Sequence, residues 1–352
     1  VNQGGATTIT WTQYQTNIVS ENDSLSILTV SNITLVFPSS IGTNPKTDVV
    51  YVEYGSNTTN LAVINGSTNS LITSIPLGAA TQATPVVNPD TNTVYIGDAI
   101  INGTTNKVSD YFNANITFVA ADPIMNLVYA MSSTSNGRNG TTTIYEVNGT
   151  NDKIVSSLSF PGYSEAADNS VAMNSQTGVL YLSVCTTRCG FEEQYIAGIG
   201  ATSSGLQVVA EIPINRLIFN MAVNPVTNMI YATALQNLFI VINGTTNQVV
   251  NEISITAYAN GLRGITVDPL DNEIFLAGSP DCNGFSGCGA NTLYVLSGLN
   301  DGVLATFVSN PNVGPFLLQF DPSNNETYVL FYFSHFVTSV EIPHYTVTFL
   351  IP

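Results

Sequence analysis

Two arginines, Arg216 and Arg263, and two acids, Glu165 and Asp168, are the residues of this sequence best suited to hold a ligand. A guanidinium fork pairs bidentately with a carboxylate or an anionic sugar. The plainer reading is surface arginines matched with nearby acids. Groups for turnover are sparse. The two histidines, His335 and His344, have neither metal-like spacing nor a motif partner. No G-x-S-x-G, H-E-x-x-H or phosphate-binding loop is present. Asp90, Asp122, Asp268 and Asp321 sit in or beside a recurring turn and read as turn formers, not as acids. The expectation is a protein that is not an enzyme, with no catalytic residue, no metal and no cofactor.

Sulfur and amide chemistry point elsewhere. The four cysteines form two close pairs, Cys185 with Cys189 in "CTTRC" and Cys282 with Cys288 in "CNGFSGC". Each pair reads as a local disulfide pinning a long hairpin loop, which needs an oxidising compartment. A four-thiolate zinc site is the rival, but zinc motifs prefer shorter spacing. Sequons for N-glycosylation occur at Asn22, Asn32, Asn57, Asn65, Asn102, Asn115, Asn139, Asn148, Asn243 and Asn325. At four of these the Asn-Gly-Ser/Thr run is also good turn chemistry. The six others, together with the disulfides, favour glycosylation of a secreted chain.

What positions these residues is a repeat. "TNPKTDVVYVE" from Thr43 recurs as "VNPDTNTVYIG", "ADPIMNLVYAM", "MNSQTGVLYLS", "VNPVTNMIYAT", "VDPLDNEIFLA" and "FDPSNNETYVL". The aromatic register residues are Tyr51, Tyr95, Tyr129, Tyr181, Tyr231, Phe275 and Tyr328, spaced by 44, 34, 52, 50, 44 and 53 residues. In each copy a short apolar strand enters an Asx-Pro turn, where proline presets φ and the Asx side chain bonds its own backbone. A β-branched strand ends at the aromatic residue. A third strand, an Asn-Gly turn and a fourth strand follow. The Asn-Gly step is read as a type I′ signal, with two positive φ angles. Four antiparallel strands per unit of roughly 50 residues predict an all-β, seven-bladed β-propeller of four-stranded antiparallel blades, preceded by an N-terminal extended segment. β-Sandwiches need roughly twice that length per unit, and a solenoid repeat is shorter. No segment has a helical period.

The "VNPxTNxxY … ING-T/S-TN-V" pattern resembles the YVTN-repeat propellers of archaeal surface-layer and secreted proteins, over about residues 33–352. The sequence departs from that family after the tyrosine, where it has "YVEY", "YIGD", "YAMS" and "YATA". It also has Asn65, Asn102, Asn148 and Asn243 where the family often carries Asp. The resemblance implies the fold and a place at the cell surface; it implies no activity.

In a propeller the connections alternate between two faces. The repeated turns, with Asn65, Asn102, Asn148, Asn243 and Asn325, share one. The other carries the long insertions and all four arginines, Arg138, Arg188, Arg216 and Arg263. Arg216 and Arg263 fall in successive blade-to-blade loops, near the expected channel mouth, and Glu165 and Asp168 in another. The last blade has four strands of its own available: "PFLLQF", "TYVLFYF", "TSVEI" and "YTVTFLI". That divides the chain into 1–32, an extended strand segment, and 33–352, the propeller. Within 1–32, "SLSILTV" suits closure of the ring. "TTITWTQYQ", with Trp11 and Tyr14, suits either closure or strand donation to a neighbouring subunit.

Only 9% of residues are charged, and 7 basic against 24 acidic side chains give a formal charge of −17, which excludes a nucleic-acid partner. At low pH the carboxylates neutralise, so the chain is compatible with an acidic external habitat. No run approaches the roughly 20 apolar residues of a spanning helix. The start at Val1 reads as a mature chain whose signal peptide has been removed. These observations converge on an extracellular, glycosylated structural component of a cell-surface layer or filament, partnered by copies of itself or other surface proteins and by N-linked glycans. The alternative is a monomeric adhesin, a carbohydrate- or protein-binding module. A channel-mouth hydrolase is the third reading.

Overall fold

The computed structural model describes residues 12–14, 28–35, 37–55, 58–78, 83–112, 116–136, 139–164, 170–186, 194–255, 261–279, 292–308, 314–332 and 336–341. Every regular element among them is a β-strand. Two strands open the chain, β1 (Thr12–Tyr14) and β2 (Leu28–Thr34). One sheet then runs β3 (Pro38–Asn44), β4 (Val49–Gly55), β5 (Thr59–Asn65) and β6 (Ser70–Gly78). The next is β7 (Val86–Asn88), β8 (Thr93–Ile96), β9 (Ala99–Asn102) and β10 (Lys107–Tyr111). It is followed by β11 (Thr117–Asp122), β12 (Leu127–Asn136), β13 (Asn139–Asn148) and β14 (Lys153–Pro161). Then come β15 (Val171–Asn174), β16 (Val179–Cys185), β17 (Gln194–Thr202) and β18 (Gly205–Pro213). After these are β19 (Ile218–Asn224), β20 (Met229–Ala234), β21 (Leu238–Asn243) and β22 (Gln248–Ser254). A further group is β23 (Gly261–Asp268), β24 (Glu273–Ser279), β25 (Thr292–Ser297) and β26 (Val303–Val308). The described chain ends with β27 (Gly314–Asp321), β28 (Glu326–Tyr332) and β29 (Phe336–Glu341).

All pairings are antiparallel between sequence neighbours, with two exceptions that involve the start of the chain. β2 pairs with β29, so the sheet order there is β2-β29-β28-β27. β1 pairs with β26, Thr12 opposite Val308 and Tyr14 opposite Thr306, giving the order β1-β26-β25-β24-β23. The four-stranded antiparallel blade expected from the repeat is present, with β1 added at the outer edge of one sheet. Six sheets are four-stranded, and the one that receives β1 has five strands. The last sheet takes its outer strand from residues 28–34, so the division at residue 32 cuts through a strand. "YTVTFLI" and Trp11 lie outside the described residues.

The register aromatics explain why the sheets stack. Tyr51, Tyr95, Tyr181, Tyr231 and Tyr328 are at most 1% exposed. Each lies on the second strand of its sheet, and these strands are buried nearly throughout, whereas outer strands such as β6 and β22 are largely exposed. A strand buried on both faces must be sandwiched between two sheets. Each apolar cluster accordingly spans two consecutive sheets. Val63 and Ile75 meet Val94 and Ile101, and so on around to Phe307 with Val329 and Phe331. The cycle closes where Leu317, Tyr328 and Leu330 pack on Ile41, Val50 and Ala62. The innermost strands β3, β11, β15, β19, β23 and β27, with Thr84 just ahead of β7, line one central space. No helix among the described residues is long and apolar enough to cross a membrane.

Candidate functional site

One face of the molecule is made by the repeated turns. The first residue of each Asx-Pro-type turn is Asn44, Asn88, Asp122, Asn174, Asn224, Asp268 or Asp321, and none is more than 2% exposed. Its Oδ1 accepts the backbone N–H two residues on, at 2.8 to 3.1 Å. Four residues on, the backbone turns left-handed, at Asp48, Asn92, Asn126, Gly178, Asn228, Asn272 and Asn325, with φ from 49° to 67°. Asn and Asp tolerate that region better than other side chains. The remaining amide reaches across to the neighbouring sheet. Asn44 Nδ2 donates to Asn92 Oδ1 at 2.8 Å, Asn88 to Asn126 at 2.8 Å, Asn174 to Asn228 at 2.7 Å and Asn224 to Asn272 at 2.8 Å. The result is a belt of neutral hydrogen bonds from sheet to sheet.

The second turn of each sheet leans on the first, which changes the reading of its glycine. In the Asn-Gly turns the left-handed residue is the last one, Asn69, Asn106, Asp152 or Asn247, and the glycine is not left-handed. The type I′ expectation therefore fails. Gly66, Gly103, Gly149 and Gly244 are glycines because a Cβ would strike the left-handed residue of the first turn, Asp48, Asn92, Asn126 or Asn228. Their N–H groups donate to that residue's carbonyl at 2.8 to 2.9 Å. The hydroxyls that complete the sequons are also used. Thr104, Thr150 and Thr245 accept from Asn92, Asn126 and Asn228, while Ser67 donates to Asp48. The sequon asparagines cap their own turns through Oδ1, as Asn102 does for Thr104 and Thr105 and Asn243 for Thr245 and Thr246. Asn65 and Asn148 cap in the same way. Folding alone thus accounts for every residue of these four sequons. Asn325 is the left-handed residue of a first turn, Asn32 lies in β2 and Asn139 opens β13. Asn22, Asn57 and Asn115 lie outside the described residues.

Burial raises the affinity of the register phenols for their protons. Tyr51 and Tyr231 are pushed up to about 12 by desolvation, helped at Tyr231 by the negative charge of Asp301. Tyr95, Tyr129 and Tyr328 are raised further, again chiefly by burial. Their hydroxyls are not equivalent. Tyr95 donates to Asp152 Oδ1 of the next sheet at 2.7 Å, and the Tyr51 hydroxyl is buried without a partner. Tyr95→Phe is expected to cost about 1–3 kcal/mol, because the bond is to a charged group and Asp152 would lose its partner. Tyr51→Phe is expected to be neutral or mildly stabilising. Paired urea denaturation curves check both.

The opposite face carries the arginines. Arg263 follows the second residue of β23, within a break of register between Leu262 and Ile265. The bulge places its guanidinium 4.0 Å above the Phe219 ring of β19, a cation–π contact, and its carbonyl accepts from the Thr233 hydroxyl. Arg216 lies in the connection leading to Phe219, is exposed, and donates to the Asn215 carbonyl. The fold thus brings Arg263, Phe219 and the Arg216 segment to one edge of two adjacent sheets. Phe219 was not singled out from the sequence; the only signal was an aromatic residue just after an arginine-bearing connection. Glu165, Asp168, Arg138 and Arg188 lie outside the described residues. The central cavity holds about 390 Å³ and is lined by apolar side chains such as Phe118, Met221 and Leu318, with Asn220, Thr266 and Gln319 as polar groups. Neither arginine lines it. No protein-family model matches this chain, and no curated protein does.

Cys185, at the buried end of β16, is disulfide-bonded, and a sulfur so engaged is not a thiolate ligand for zinc. Cys189, Cys282 and Cys288 lie outside the described residues. Among the described residues no group of three or more His, Cys, Asp or Glu side chains is placed to hold a metal ion.

Proposed function

We propose that this chain is an extracellular structural component of a cell-surface layer or filament, built on a ring of seven blades of the YVTN-repeat type. The ring count takes the six four-stranded sheets together with the five-stranded one. The observation that carries the assembly reading is the β1–β26 pairing, in which a terminal strand is added to the edge of a sheet that already has its four strands. An edge that accepts Thr12–Tyr14 from its own chain offers the same backbone groups to Thr12–Tyr14 of a neighbour. The low charge and the disulfide at Cys185 fit an external setting, and the sequons supply sites for N-linked glycans. Electron microscopy of the protein with and without residues 1–15 tests the reading. Filaments or sheets that vanish on truncation are the expected result; single rings in both samples would remove the assembly role.

The Arg263–Phe219 stack favours a second reading, an adhesin that binds an anionic sugar or a carboxylate on the inserted-loop face. In that case Arg216→Ala with Arg263→Ala abolishes retention on an array of acidic glycans while leaving the unfolding curve of the protein close to wild type. Unchanged retention would exclude the arginine edge as the site.

A further inference from the structure

The belt of amides lacks its asparagine donor where the first residue is Asp122, Asp268 or Asp321, and the junction where the β27 sheet meets the β3 sheet is the one with a carboxyl in both positions. At four other junctions an asparagine amide donates to the oxygen of an asparagine. By the same step around the ring, the residue in the donor position here is Asp321 and the one in the acceptor position is Asp48. A carboxylate has no proton to give. Asp321 is fully buried. Its Oδ1 accepts the backbone N–H of Ser323 at 2.9 Å and contacts the Ser323 hydroxyl at 2.7 Å, and its Oδ2 is buried with no hydrogen-bond partner. The same hydroxyl stands 3.1 Å from Asp48 Oδ1. A serine hydroxyl carries one proton. It satisfies one of these two carboxyl groups, and the other contact joins two acceptors unless a carboxyl brings a proton of its own.

Among the described residues, none of the groups bonded to Asp48, Asp321, Glu326 or Tyr328 at this junction carries positive charge. Asp48 also takes the hydroxyl of Ser67. Glu326 accepts from Asn69 Nδ2 at 3.1 Å, and the Tyr328 hydroxyl accepts from Asn324 Nδ2 at 3.0 Å. Lys46, two residues before Asp48, is committed to an ion pair with Asp90. The groups gathered here are Asp48, Asp321, Glu326 and Tyr328, three carboxyls and a phenol.

We propose that Asp321 is a neutral carboxylic acid in the folded protein, standing in for the asparagine amide, and that the closing junction of the ring is strengthened by acid. Burial raises the affinity of Asp321 for its proton, the charge of Asp48 raises it further, and the bonds from Ser323 oppose the shift. A carboxyl whose folded value is raised contributes stability that is full below its ordinary range and is lost as pH rises through the folded value. The junction is therefore tight in acid and strained when both carboxyls are ionised.

The test is the melting temperature of wild type, Asp321→Asn and Asp48→Asn between about pH 3 and pH 7. Asp321→Asn supplies the missing amide, so it should melt above wild type at pH 7 and lose most of the wild-type gain on acidification. Asp48→Asn removes the like charge and gives Asp321 a donor, so it too should flatten the profile, which keeps the test alive if the first variant does not fold. Infrared difference spectra provide a direct readout. A protonated carboxyl C=O band present in wild type above the ordinary carboxylate range, and missing in Asp321→Asn, is expected. Wild-type pH profiles in both variants, or no such band, would overturn the proposal.

Discussion

Gly42→Ala should produce a large loss of stability for a single added methyl, and one with no contribution from backbone conformation. Gly42 is a buried residue of β3 with ordinary strand φ, so its need for glycine is not conformational. A Cβ there would lie well inside van der Waals distance of the Pro85 carbonyl oxygen and 3.3 Å from the Pro85 carbonyl carbon, just ahead of β7. The obstacle is backbone and cannot rotate away. Relief requires the first two sheets to separate, against the Ser40 hydroxyl that ties β3 to the Ala83 carbonyl at 2.7 Å. Overpacking of this kind costs about 3 kcal/mol, toward the upper end of what inserted methyls cost. Urea denaturation should show a lower midpoint with an unchanged slope. A midpoint within error of wild type would mean that the β3–β7 approach is looser than described.

Asn88→Ala should come second. Asn88 is fully buried and does two tasks with one amide. Oδ1 caps the Asp90 N–H at 3.1 Å, and Nδ2 donates to Asn126 of the next sheet at 2.8 Å. Truncation leaves a backbone donor and a side-chain acceptor without partners in a place where Gly149, Asn88 and Asn126 already meet closely. Asp90 is exposed and Asn126 half-buried, so each orphaned group sits near the low end of about 1–3 kcal/mol, and the expected loss is about 2–3 kcal/mol. Asn88→Asp separates the two tasks, since it keeps the cap and loses the donor. It should fall between wild type and Asn88→Ala in calorimetric melting temperature; equality with wild type would show that the inter-sheet bond contributes nothing.

The turn chemistry and strand order were legible because each depends on residues close in sequence. The Asx-Pro turn and the aromatic residue that ends the second strand declare themselves locally. What was not legible depends on which sheet stands beside which. The glycine of Asn-Gly was read from turn statistics, and its cause proved to be a side chain in another turn, 11 to 23 residues earlier. The pairing of Asp321 with Asp48 joins opposite ends of the chain, so no local pattern marks it. Asp321 looked like another turn former, which it is, and its missing amide matters only once its neighbour is known. Arg263 was noticed for its charge, but the bulge that sets it over Phe219 is invisible without the register of β23. Of the opening segment, "SLSILTV" overlaps the strand that completes the last sheet, while Tyr14 adds to a different sheet from the one that closes the ring.

The one-way direction of the amide belt bears on how such a protein grows by duplication. A unit headed by asparagine arrives with a plug, the donor amide of its first residue, and, where its left-handed residue is also asparagine, a socket in that residue's oxygen. A duplicated asparagine unit inserted between two units of the same type meets a socket ahead and a plug behind, so no compensating substitution is needed at either seam. The number of units is then free to drift until wedge geometry, not bonding chemistry, stops it. The seams headed by Asp122, Asp268 and Asp321 have no plug to copy, so growth of this kind is confined to the runs of asparagine units between them.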